Sequence, residues 1–485
     1  MSRLPLVDGV LKYIKEKNIS FCMPGHKGGL GFLETAKGKE LYENFIRGDI
    51  TEVDGLDNLH HVDGIIKESQ QLLSEYYGSI KSYFLVNGST SGNLAMIFSS
   101  FNEGEKIIVE RNCHCSIFNA IIMRKLRPIY IKNKIHSKYD APLPLDKEHF
   151  LCLINKNKDA KGIIVTYPNY YGICFDLPYV IEIARKYGMK VLVDAAHGAH
   201  FGASELLPEN PLKMGANMVV MSAHKTLPSL TQTAFLHVGA GINISKVDFY
   251  VSAFLSTSPS YMLLCSMDYA RYYIQEYGES DYEKLIKLCQ VSRDKINSLG
   301  KVYILGPEDL QDISGNYNEA NNNYTIDLTR YIINVPKGYS GHRLLEYLRV
   351  NKIQAEMSDS RNVVLIFSPF NRAQDFKELY IAIKNCNINT LKQEYIDLMD
   401  YDVPMTIMYP YEVMDREKTM VDVKDSAGEI CAVAVVPYPP GIPIIMPGER
   451  LDVKTIAAIE YYIQSNVTVL GINEGKIAIV VTLEK

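Results

Sequence analysis

The sequence lacks the features that mark several specialised classes of protein. Its 485 residues include no tryptophan, and its nine cysteines are scattered without the spacing of a disulfide framework. The 51 basic residues are balanced by 56 acidic ones, so the net charge is −5, and no Lys- or Arg-rich run stands out. Nucleic acid is therefore not an expected partner, and we expect reduced thiols in a cytoplasmic protein.

No stretch of the sequence is both long and apolar enough to suggest a membrane span. The best candidate, 430–446, contains four prolines, which break any helix there. The first ten residues carry Pro5 and Asp8 and lack the apolar core of a signal peptide. With 47% hydrophobic and 22% charged residues the composition is that of a globular protein, and the length predicts roughly two to four domains.

Short β-branched runs alternate with helical patterns between about residues 82 and 238. Strands are predicted at 83–86, 106–109, 162–166, 190–193 and 218–221, with a helix at 177–187 between two of them. Continuous apolar strands separated by helices predict an α/β fold with a mostly parallel sheet covered on both faces. In such a sheet, ligands bind at the carboxyl ends of the strands.

The pattern changes farther along the chain and predicts a division into several parts. An Asn- and Gly-rich linker at 315–323 is followed by a small α/β unit with a strand at 331–335, a helix at 339–349 and a strand at 363–367. The last piece ends in a strand at 476–482. The predicted parts are an approach segment (1–60), a large α/β domain (61–310), a small α/β domain (311–400) and a C-terminal α+β domain (401–485).

The first predicted strand is followed by a segment rich in small hydroxyl residues. This segment, NGSTSGN at 87–93, precedes a helical pattern. Free N–H groups and the positive end of the helix dipole make such a helix start an anion site. Ser and Thr are also ordinary helix caps, so the segment alone indicates either a phosphate site or a cap.

Two other strand ends carry histidines with thiols or a carboxylate. Cys113 and Cys115 flank His114, but the spacing is poor for a metal, and we favour two buried thiols beside a His that can stack on a flat ligand. Asp194 ends an apolar strand, where a carboxylate is costly to bury unless it meets a cation or donors. Asp194 is therefore either a helix cap or a cation partner, and metal ligation by the nearby His197 and His200 is weakly supported.

The strand at 218–221 is followed by Ser222, His224 and Lys225. Desolvation lowers the proton affinity of a buried lysine, and a neutral amine is a nucleophile, although a lone lysine more often reaches water. Pyridoxal phosphate would use all four features. They are an anion site for its phosphate, an Asp for its ring nitrogen, a His against its ring face and a Lys for an imine. Asp194 and Lys225 are one strand–helix–strand step apart, which predicts neighbouring strands.

The chain resembles the Orn/Lys/Arg decarboxylases, which have the aspartate-aminotransferase-like fold (fold type I of the pyridoxal-phosphate enzymes). The resemblance runs from about residue 4 to the C-terminus and is looser at 300–400. It is carried by nine motifs in family order: MPGHKGG at 23–29, GLDNLH at 55–60, NGSTSGN at 87–93, RNCH at 111–114, TYPNYYG at 166–172, DAAHGAH at 194–200, SAHKT at 222–226, TSPS at 257–260 and MPGE at 446–449.

The resemblance implies a role for individual residues. Lys225 is expected to be the Schiff-base lysine, Asp194 the partner of the pyridinium nitrogen, and His114 a catalytic residue that stacks on the ring. Glu449 is expected near the distal cation of the substrate, and the turn at 256–260 is expected to reach the active site of the partner subunit. The residues expected to bind pyridoxal phosphate are Ser89, Thr90, Ser91, His114, Asp194, His197, Ser222, His224, Lys225, Thr257 and Ser258.

The resemblance also implies a function. The expected reaction is decarboxylation of a basic amino acid, with L-arginine giving agmatine and CO₂ in polyamine biosynthesis. Arginine is preferred because the chain lacks the N-terminal wing domain of the large acid-inducible members and resembles the shorter biosynthetic type. The alternatives are lysine or ornithine decarboxylation, an aminotransferase, and a pseudoenzyme that regulates polyamine metabolism. The expected partners are the amino-acid substrate and a second copy of the chain, without nucleic acid, membrane or metal.

Overall fold

The structure is a computed structural model that describes residues 4–310, 324–394, 402–438, 441–465 and 467–481. The strands, numbered in chain order, are β1 (Ile19–Phe21), β2 (Lys81–Leu85), β3 (Lys106–Glu110), β4 (Arg127–Ile131), β5 (Asn133–Ile135), β6 (Pro142–Leu145), β7 (Gly162–Thr166), β8 (Ile173–Cys174), β9 (Lys190–Asp194), β10 (Met218–Met221), β11 (Ala234–Val238), β12 (Tyr303–Ile304), β13 (Thr325–Ile326), β14 (Arg330–Asn334), β15 (Ile353–Ala355), β16 (Met357–Ser358), β17 (Asn362–Ile366), β18 (Lys418–Asp422), β19 (Val436–Tyr438), β20 (Thr468–Leu470), β21 (Ile472–Asn473) and β22 (Lys476–Val480).

The α-helices are numbered in the same way. They are α1 (Pro5–Glu16), α2 (Leu30–Leu33), α3 (Ala36–Asn44), α4 (Ile65–Tyr77), α5 (Gly88–Ser100), α6 (Cys115–Met123), α7 (Lys147–Lys156), α8 (Leu177–Lys186), α9 (Pro211–Met214), α10 (Ala223–Thr226), α11 (Ile244–Phe254), α12 (Tyr261–Asn297), α13 (Gly341–Val350), α14 (Ala373–Asn385), α15 (Pro410–Met414) and α16 (Val453–Gln464). None of these described helices is long and apolar enough to cross a membrane.

A seven-stranded sheet in the order β2–β11–β10–β9–β7–β3–β4 forms the centre of the molecule. Strand β11 runs antiparallel to both of its neighbours, and the other pairs are parallel. Consecutive residues of β7, β9 and β10 are buried. Because successive side chains of a strand point to opposite faces, both faces of the sheet are covered, which confirms the α/β prediction.

The five strands predicted in this region are confirmed within two residues at each end. Strands β4 and β11 were not among the predictions. Pro128 interrupts the pattern of β4, and a proline is tolerated there because β4 lies at the edge of the sheet. His237 interrupts the apolar run of β11. It is buried, and its Nδ1 hydrogen-bonds the Ser82 hydroxyl at 2.7 Å, which lowers the cost of burying the ring.

Helix α8 illustrates how local sequence sets the boundaries of an element. The Asp176 side chain accepts a hydrogen bond from the backbone N–H of Tyr179, and Pro178 lies in the first turn. Arg185 and Lys186 lie in the last turn, where positive charge is favourable. The helix ends one residue before the predicted end of 177–187.

A four-stranded antiparallel sheet in the order β12–β14–β17–β16 forms a second unit with its own apolar core. The strands and helix predicted there are confirmed, each shifted by one or two residues. Strand β12 precedes the predicted boundary at 310, yet it pairs with β14. The predicted linker at 315–323 lies outside the described residues.

Two further pairings fix the ends of the chain. Strand β1 of the approach segment pairs in parallel with β15, so the segment that follows β1 lies beside the second unit. Near the C-terminus, β18, β22 and β21 form a three-stranded sheet over a separate apolar core that includes Cys431, Ile459 and Tyr462. The predicted strand at 476–482 is observed as β22, and residue 482 lies outside the described residues.

Candidate active site

The carboxyl ends of the parallel strands meet at one edge of the central sheet, and the candidate residues collect there. Thr166, at the end of β7, pairs with Asp194 of β9, which in turn pairs with Val220 of β10. Lys225 lies in α10, directly after β10. The prediction that Asp194 and Lys225 belong to neighbouring strands is therefore confirmed.

Asp194 is buried and its carboxylate is held by uncharged donors. Its Oδ1 accepts the backbone N–H of Ala196 at 3.0 Å, and its Oδ2 accepts the Asn93 side-chain amide at 2.9 Å. Residues 195–200 form turns rather than a helix, so the helix-cap interpretation of Asp194 is wrong. A buried carboxylate without an ion pair among the described residues suits a protonated ring nitrogen.

A chain of hydrogen bonds connects Asp194 with His114. Asn93 Nδ2 also donates to the Ser116 hydroxyl at 2.9 Å, and Ser116 Oγ lies 2.8 Å from His114 Nδ1. The backbone N–H of Ser116 donates to the same Nδ1, so the neutral ring carries its proton on Nε2. Burial lowers the pKa of His114, with Asp194 opposing the shift. The contribution of Asn93 and Ser116 was not predicted, although Asn93 closes one of the matched motifs.

The two cysteines beside His114 differ in their surroundings. Cys113 is buried, and its burial raises the pKa of the thiol well above the ordinary value, whereas Cys115 is exposed. The prediction of two buried thiols is thus right for Cys113 and wrong for Cys115. Among the described residues, no group of three or more His, Cys, Asp or Glu side chains is arranged to hold a metal ion.

The residues next to Lys225 orient its amine, and burial lowers its pKa. Arg330 Nη2 lies 3.0 Å from His197 Nδ1, and a guanidinium can only donate, so Nδ1 accepts and the His197 proton is on Nε2. Nε2 lies 2.9 Å from Lys225 Nζ, which must then accept with its lone pair. The pKa of Lys225 is lowered to about 8, mainly by burial and also by Arg330, while Asp194 and Glu356 oppose the shift. Lys225 can therefore act as a nucleophile near neutral pH.

Each side-chain nitrogen of Arg330 donates to a neighbouring residue. Its Nε donates to Asp327 at 3.3 Å, its Nη1 donates to the Tyr170 carbonyl at 2.9 Å, and its Nη2 contacts both the ring and the carbonyl of His197. Asp327 also contacts His200 Nε2 at 3.0 Å, and these contacts lower the pKa of Asp327. Arg330 was not predicted, because β14 lies in the loosely matched region.

The start of α5 is suited to a phosphate. Asn87 precedes the helix without capping it through its side chain, so the first N–H groups remain available. Ser89 and Thr90 lie in the first turn and are not buried, while the Ser91 hydroxyl donates to the Gly88 carbonyl at 2.8 Å. The turn before β11 approaches this point through Gln232, whose amide donates to the Val86 carbonyl.

Two residues after β10 complete this side of the site. Ser222 Oγ is buried and has no hydrogen-bond partner among the described residues, which a phosphate oxygen would supply. His224 Nδ1 donates to the Thr233 carbonyl at 2.8 Å, and burial lowers the pKa of the ring. A phosphate beside Nε2 would favour the protonated ring. The orphan hydroxyl and the open helix start fit pyridoxal phosphate.

The MPGHKGG motif supports the turn that carries Lys225. The backbone N–H of Gly25 donates to the His224 carbonyl at 2.7 Å. A Cβ on Gly25 would lie 2.6 Å from the Leu227 carbonyl oxygen, so no larger residue fits without a shift. Lys27 is buried and donates to the carbonyls of Cys22 and Ile366. The motif therefore positions the active-site turn.

The hydroxyl-rich turn at 256–260 contacts the start of α5 in its own chain, and its predicted contact with a partner subunit stays a prediction. Thr257 and Ser258 are exposed, and the backbone N–H of Ser256 donates to Asn87 Oδ1 of the same chain at 3.1 Å. This turn therefore borders the phosphate side of its own subunit.

Glu449 has a partner that the sequence did not indicate. Its carboxylate is fully buried and forms two parallel hydrogen bonds with Arg111, of 2.7 and 2.8 Å, and it also accepts the backbone N–H of Met446. The expected contact with a substrate cation is replaced by this ion pair, so the structure does not place Glu449 at the substrate.

The central sheet, with its lysine and aspartate at adjacent strand ends, defines a fold-type-I enzyme. The chain belongs to the Orn/Lys/Arg decarboxylase family. The family model of the major domain matches residues 4–375, and that of the C-terminal domain matches residues 390–468. The protein is accordingly an amino-acid decarboxylase, a carboxy-lyase acting on a basic amino acid.

Individual relatives support this placement. The chain is 35% identical to the Bacillus subtilis uncharacterized protein YaaO, covering 99% of both chains. It is 31% identical to the arginine decarboxylase of Bacillus subtilis, covering 96% of this chain and 95% of that one. Among solved structures it is similar to lysine decarboxylase A from Pseudomonas aeruginosa, with a TM-score of 0.77, 20% identity, and coverage of 97% of this chain and 80% of that one.

Proposed function

We propose that this chain decarboxylates L-arginine to agmatine and CO₂ with pyridoxal phosphate, as a step of polyamine biosynthesis. The observation that carries the proposal is the position of Lys225 directly after β10, next to the buried Asp194 at the end of the adjacent strand β9. Arginine is favoured because the arginine decarboxylase relative matches nearly the whole chain at 31% identity. Lysine, giving cadaverine, and ornithine, giving putrescine, are the alternatives.

Each residue of the site has a role in this reaction. When bound, pyridoxal phosphate supplies the electron sink for the pair released as the Cα–carboxylate bond breaks. Lys225 holds the cofactor through its Nζ, and Asp194 keeps a proton on the ring nitrogen, which strengthens the sink. His114, connected to Asp194 through Ser116 and Asn93, would return a proton to Cα from its protonated ring and become neutral, a role for which the protonated amine of Lys225 is the alternative.

The cofactor is held at both ends by this chain. Ser89, Thr90 and Ser91 at the start of α5 would bind the phosphate together with Ser222 and His224. His197 Nε2 hydrogen-bonds the Lys225 amine and fixes its direction. The buried walls of the site exclude water, which strengthens the interaction of Asp194 with the ring nitrogen.

The described site argues against the two other functions considered, an aminotransferase and a pseudoenzyme. An aminotransferase needs an arginine to clamp the α-carboxylate, but all three side-chain nitrogens of Arg330, the arginine next to Lys225, already donate within the chain. A pseudoenzyme has no use for a lysine whose pKa is lowered to about 8. These features favour a working decarboxylase.

A second copy of the chain is proposed as partner, forming a dimer with shared sites. The His60 ring contacts Ser252 and Ser256, so the segment around 53–65 lies against the hydroxyl-rich turn. Apolar side chains are exposed in this segment, at Val53, Leu56 and Ile65, and on α11 before the turn, at Phe249. Exposed apolar side chains beside a functional turn are typical of an interface.

Product analysis distinguishes the three substrates. The cofactor-loaded protein is incubated with arginine, lysine or ornithine, and the products are identified by mass. We expect agmatine from arginine, with the highest kcat/KM of the three. Formation of cadaverine or putrescine alone would assign the chain to lysine or ornithine instead, and a keto acid would indicate an aminotransferase.

A further inference from the structure

One partly exposed carboxylate, that of Glu356, has no part in the chemistry above. Glu356 follows β15, and the parallel pairing of β15 with β1 places it beside Met23. Glu356 Oε2 accepts the backbone N–H of Met23 at 2.9 Å, and Oε1 accepts the Tyr170 hydroxyl at 2.6 Å. Its own backbone N–H donates to the Val364 carbonyl. The position and orientation of the carboxylate are therefore fixed.

A short series of contacts leads from Glu356 to the reacting amine. The Tyr170 ring packs edge-on against the His197 ring, with 4.7 Å between their centroids. His197 in turn contacts Lys225. The negative charge of Glu356 raises the pKa of Lys225, opposing the effect of burial, which shows that the two groups share one electrostatic environment.

The charge of Glu356 raises the pKa of the buried amines of Lys27 and Lys225. The side chain is partly exposed, and no Lys or Arg of the described residues forms an ion pair with it. Each carboxylate oxygen now accepts one neutral donor and has a lone pair for another. By contrast, Asp327 is paired with Arg330, and Glu449 with Arg111.

We propose that Glu356 binds the distal cation of the basic amino-acid substrate. This inference rests on the proposed function and names the residue that selects a basic side chain. The α-amine of such a substrate reacts at Lys225, so its second cation extends away from the ring and needs a negative partner near the mouth. Tyr170 and Met23 hold the carboxylate in place, so the charged contact forms without ordering a flexible side chain.

The test separates the charge of Glu356 from its structural hydrogen bonds. The cofactor-loaded wild type and Glu356→Gln are titrated calorimetrically with agmatine, cadaverine and pentylamine, the last of which lacks a distal cation. We expect Glu356→Gln to weaken agmatine and cadaverine by about 10- to 100-fold, the loss of a charged hydrogen bond, and to leave pentylamine unchanged. KM for the amino acid should rise accordingly. Glu346→Gln, an exposed change on α13, is the matched control and should alter nothing.

Several outcomes would overturn this inference. Equal weakening of all three amines would show that Glu356 only supports the Met23 segment, and unchanged agmatine binding would remove it from the site. If the wild type decarboxylates a basic amino acid but Glu356→Gln has the parental KM, this inference fails while the proposed function stands. If the wild type neither binds agmatine nor decarboxylates any of the three amino acids, both fail.

Discussion

At the scale of single residues, the protonation state of Lys225 depends on a residue 105 positions away in the sequence. Arg330 determines which nitrogen of His197 carries the proton, and that proton points at the Lys225 lone pair. Ligands bind at the carboxyl ends of parallel strands, and this rule identified Asp194 and Lys225 from sequence because both lie at the ends of apolar strands. It could not locate Arg330, whose position next to His197 depends on how the second sheet packs against the first.

Cofactor capture by the cofactor-free protein should follow the ionisation of Lys225. Only the neutral amine reacts, and the pKa of Lys225 is lowered from an ordinary 10.5 to about 8. Capture should therefore be slow at pH 7, rise through pH 8 and level off above it, as measured by absorbance after addition of pyridoxal phosphate. Arg330→Gln removes a positive charge that lowers this pKa, so its midpoint should move to higher pH.

Two variants control for indirect effects on this profile. Arg330→Lys keeps the positive charge and should keep the midpoint near 8, whereas Arg185→Gln, an exposed change on α8, should leave the whole profile unchanged. A wild-type midpoint near 10, or an Arg330→Gln midpoint equal to that of the wild type, would contradict this account of Lys225.

At the scale of structural elements, the ion pair between Arg111 and Glu449 joins the end of β3 to the C-terminal unit. Arg111 also donates to the carbonyls of Pro443 and Ile444, so the loop before Glu449 is held against the central sheet. The family resemblance implied that Glu449 lies near a substrate cation. Its actual partner, Arg111, could not be found from sequence because it lies 338 positions earlier in the chain. The motif itself was recognised, but its contact required the folded structure.

Breaking this ion pair should destabilise the protein strongly. Glu449→Gln leaves a buried guanidinium without its counter-charge, which typically costs about 3–5 kcal/mol. Urea unfolding should show this loss, and the double change Arg111→Met with Glu449→Met should recover much of it, because no buried charge remains. The exposed pair of Lys37 and Glu40 is the control, and Glu40→Gln should have no measurable effect. A Glu449→Gln protein of wild-type stability with a raised KM would instead place Glu449 at the substrate.

At the scale of the whole molecule, the architecture was more predictable than the assembly of the site. The α/β class follows from strands such as β9 and β10, whose continuous apolar runs indicate burial on both faces. Glu356 could not be predicted, because the pairing of β1 with β15 brings together segments from opposite ends of the major domain. Long-range pairings of this kind leave no periodic signal in the sequence.

The proposed dimer can be tested by mixing two defective chains. One carries Lys225→Ala, and the other carries Thr257→Ala, Ser258→Ala and Ser260→Ala. If the hydroxyl-rich turn completes the partner's site, a mixed dimer has one site with both defects and one with neither, so mixing should restore decarboxylase activity. The contact of Ser256 with Asn87 provides the opposing hypothesis. No recovery, after chain exchange is demonstrated with two inactive parents, would mean that the turn serves its own subunit.

The central claim is that Lys225 and its neighbours carry out decarboxylation of a basic amino acid. The most direct measurement supplies the cofactor-loaded protein with arginine labelled at its carboxyl carbon, in heavy water, and compares wild type with Lys225→Ala. The account predicts labelled CO₂ and agmatine carrying one deuterium at the former Cα from the wild type, and neither product from Lys225→Ala. Unlabelled CO₂, retention of the carboxyl carbon in the product, or equal turnover by Lys225→Ala would contradict it.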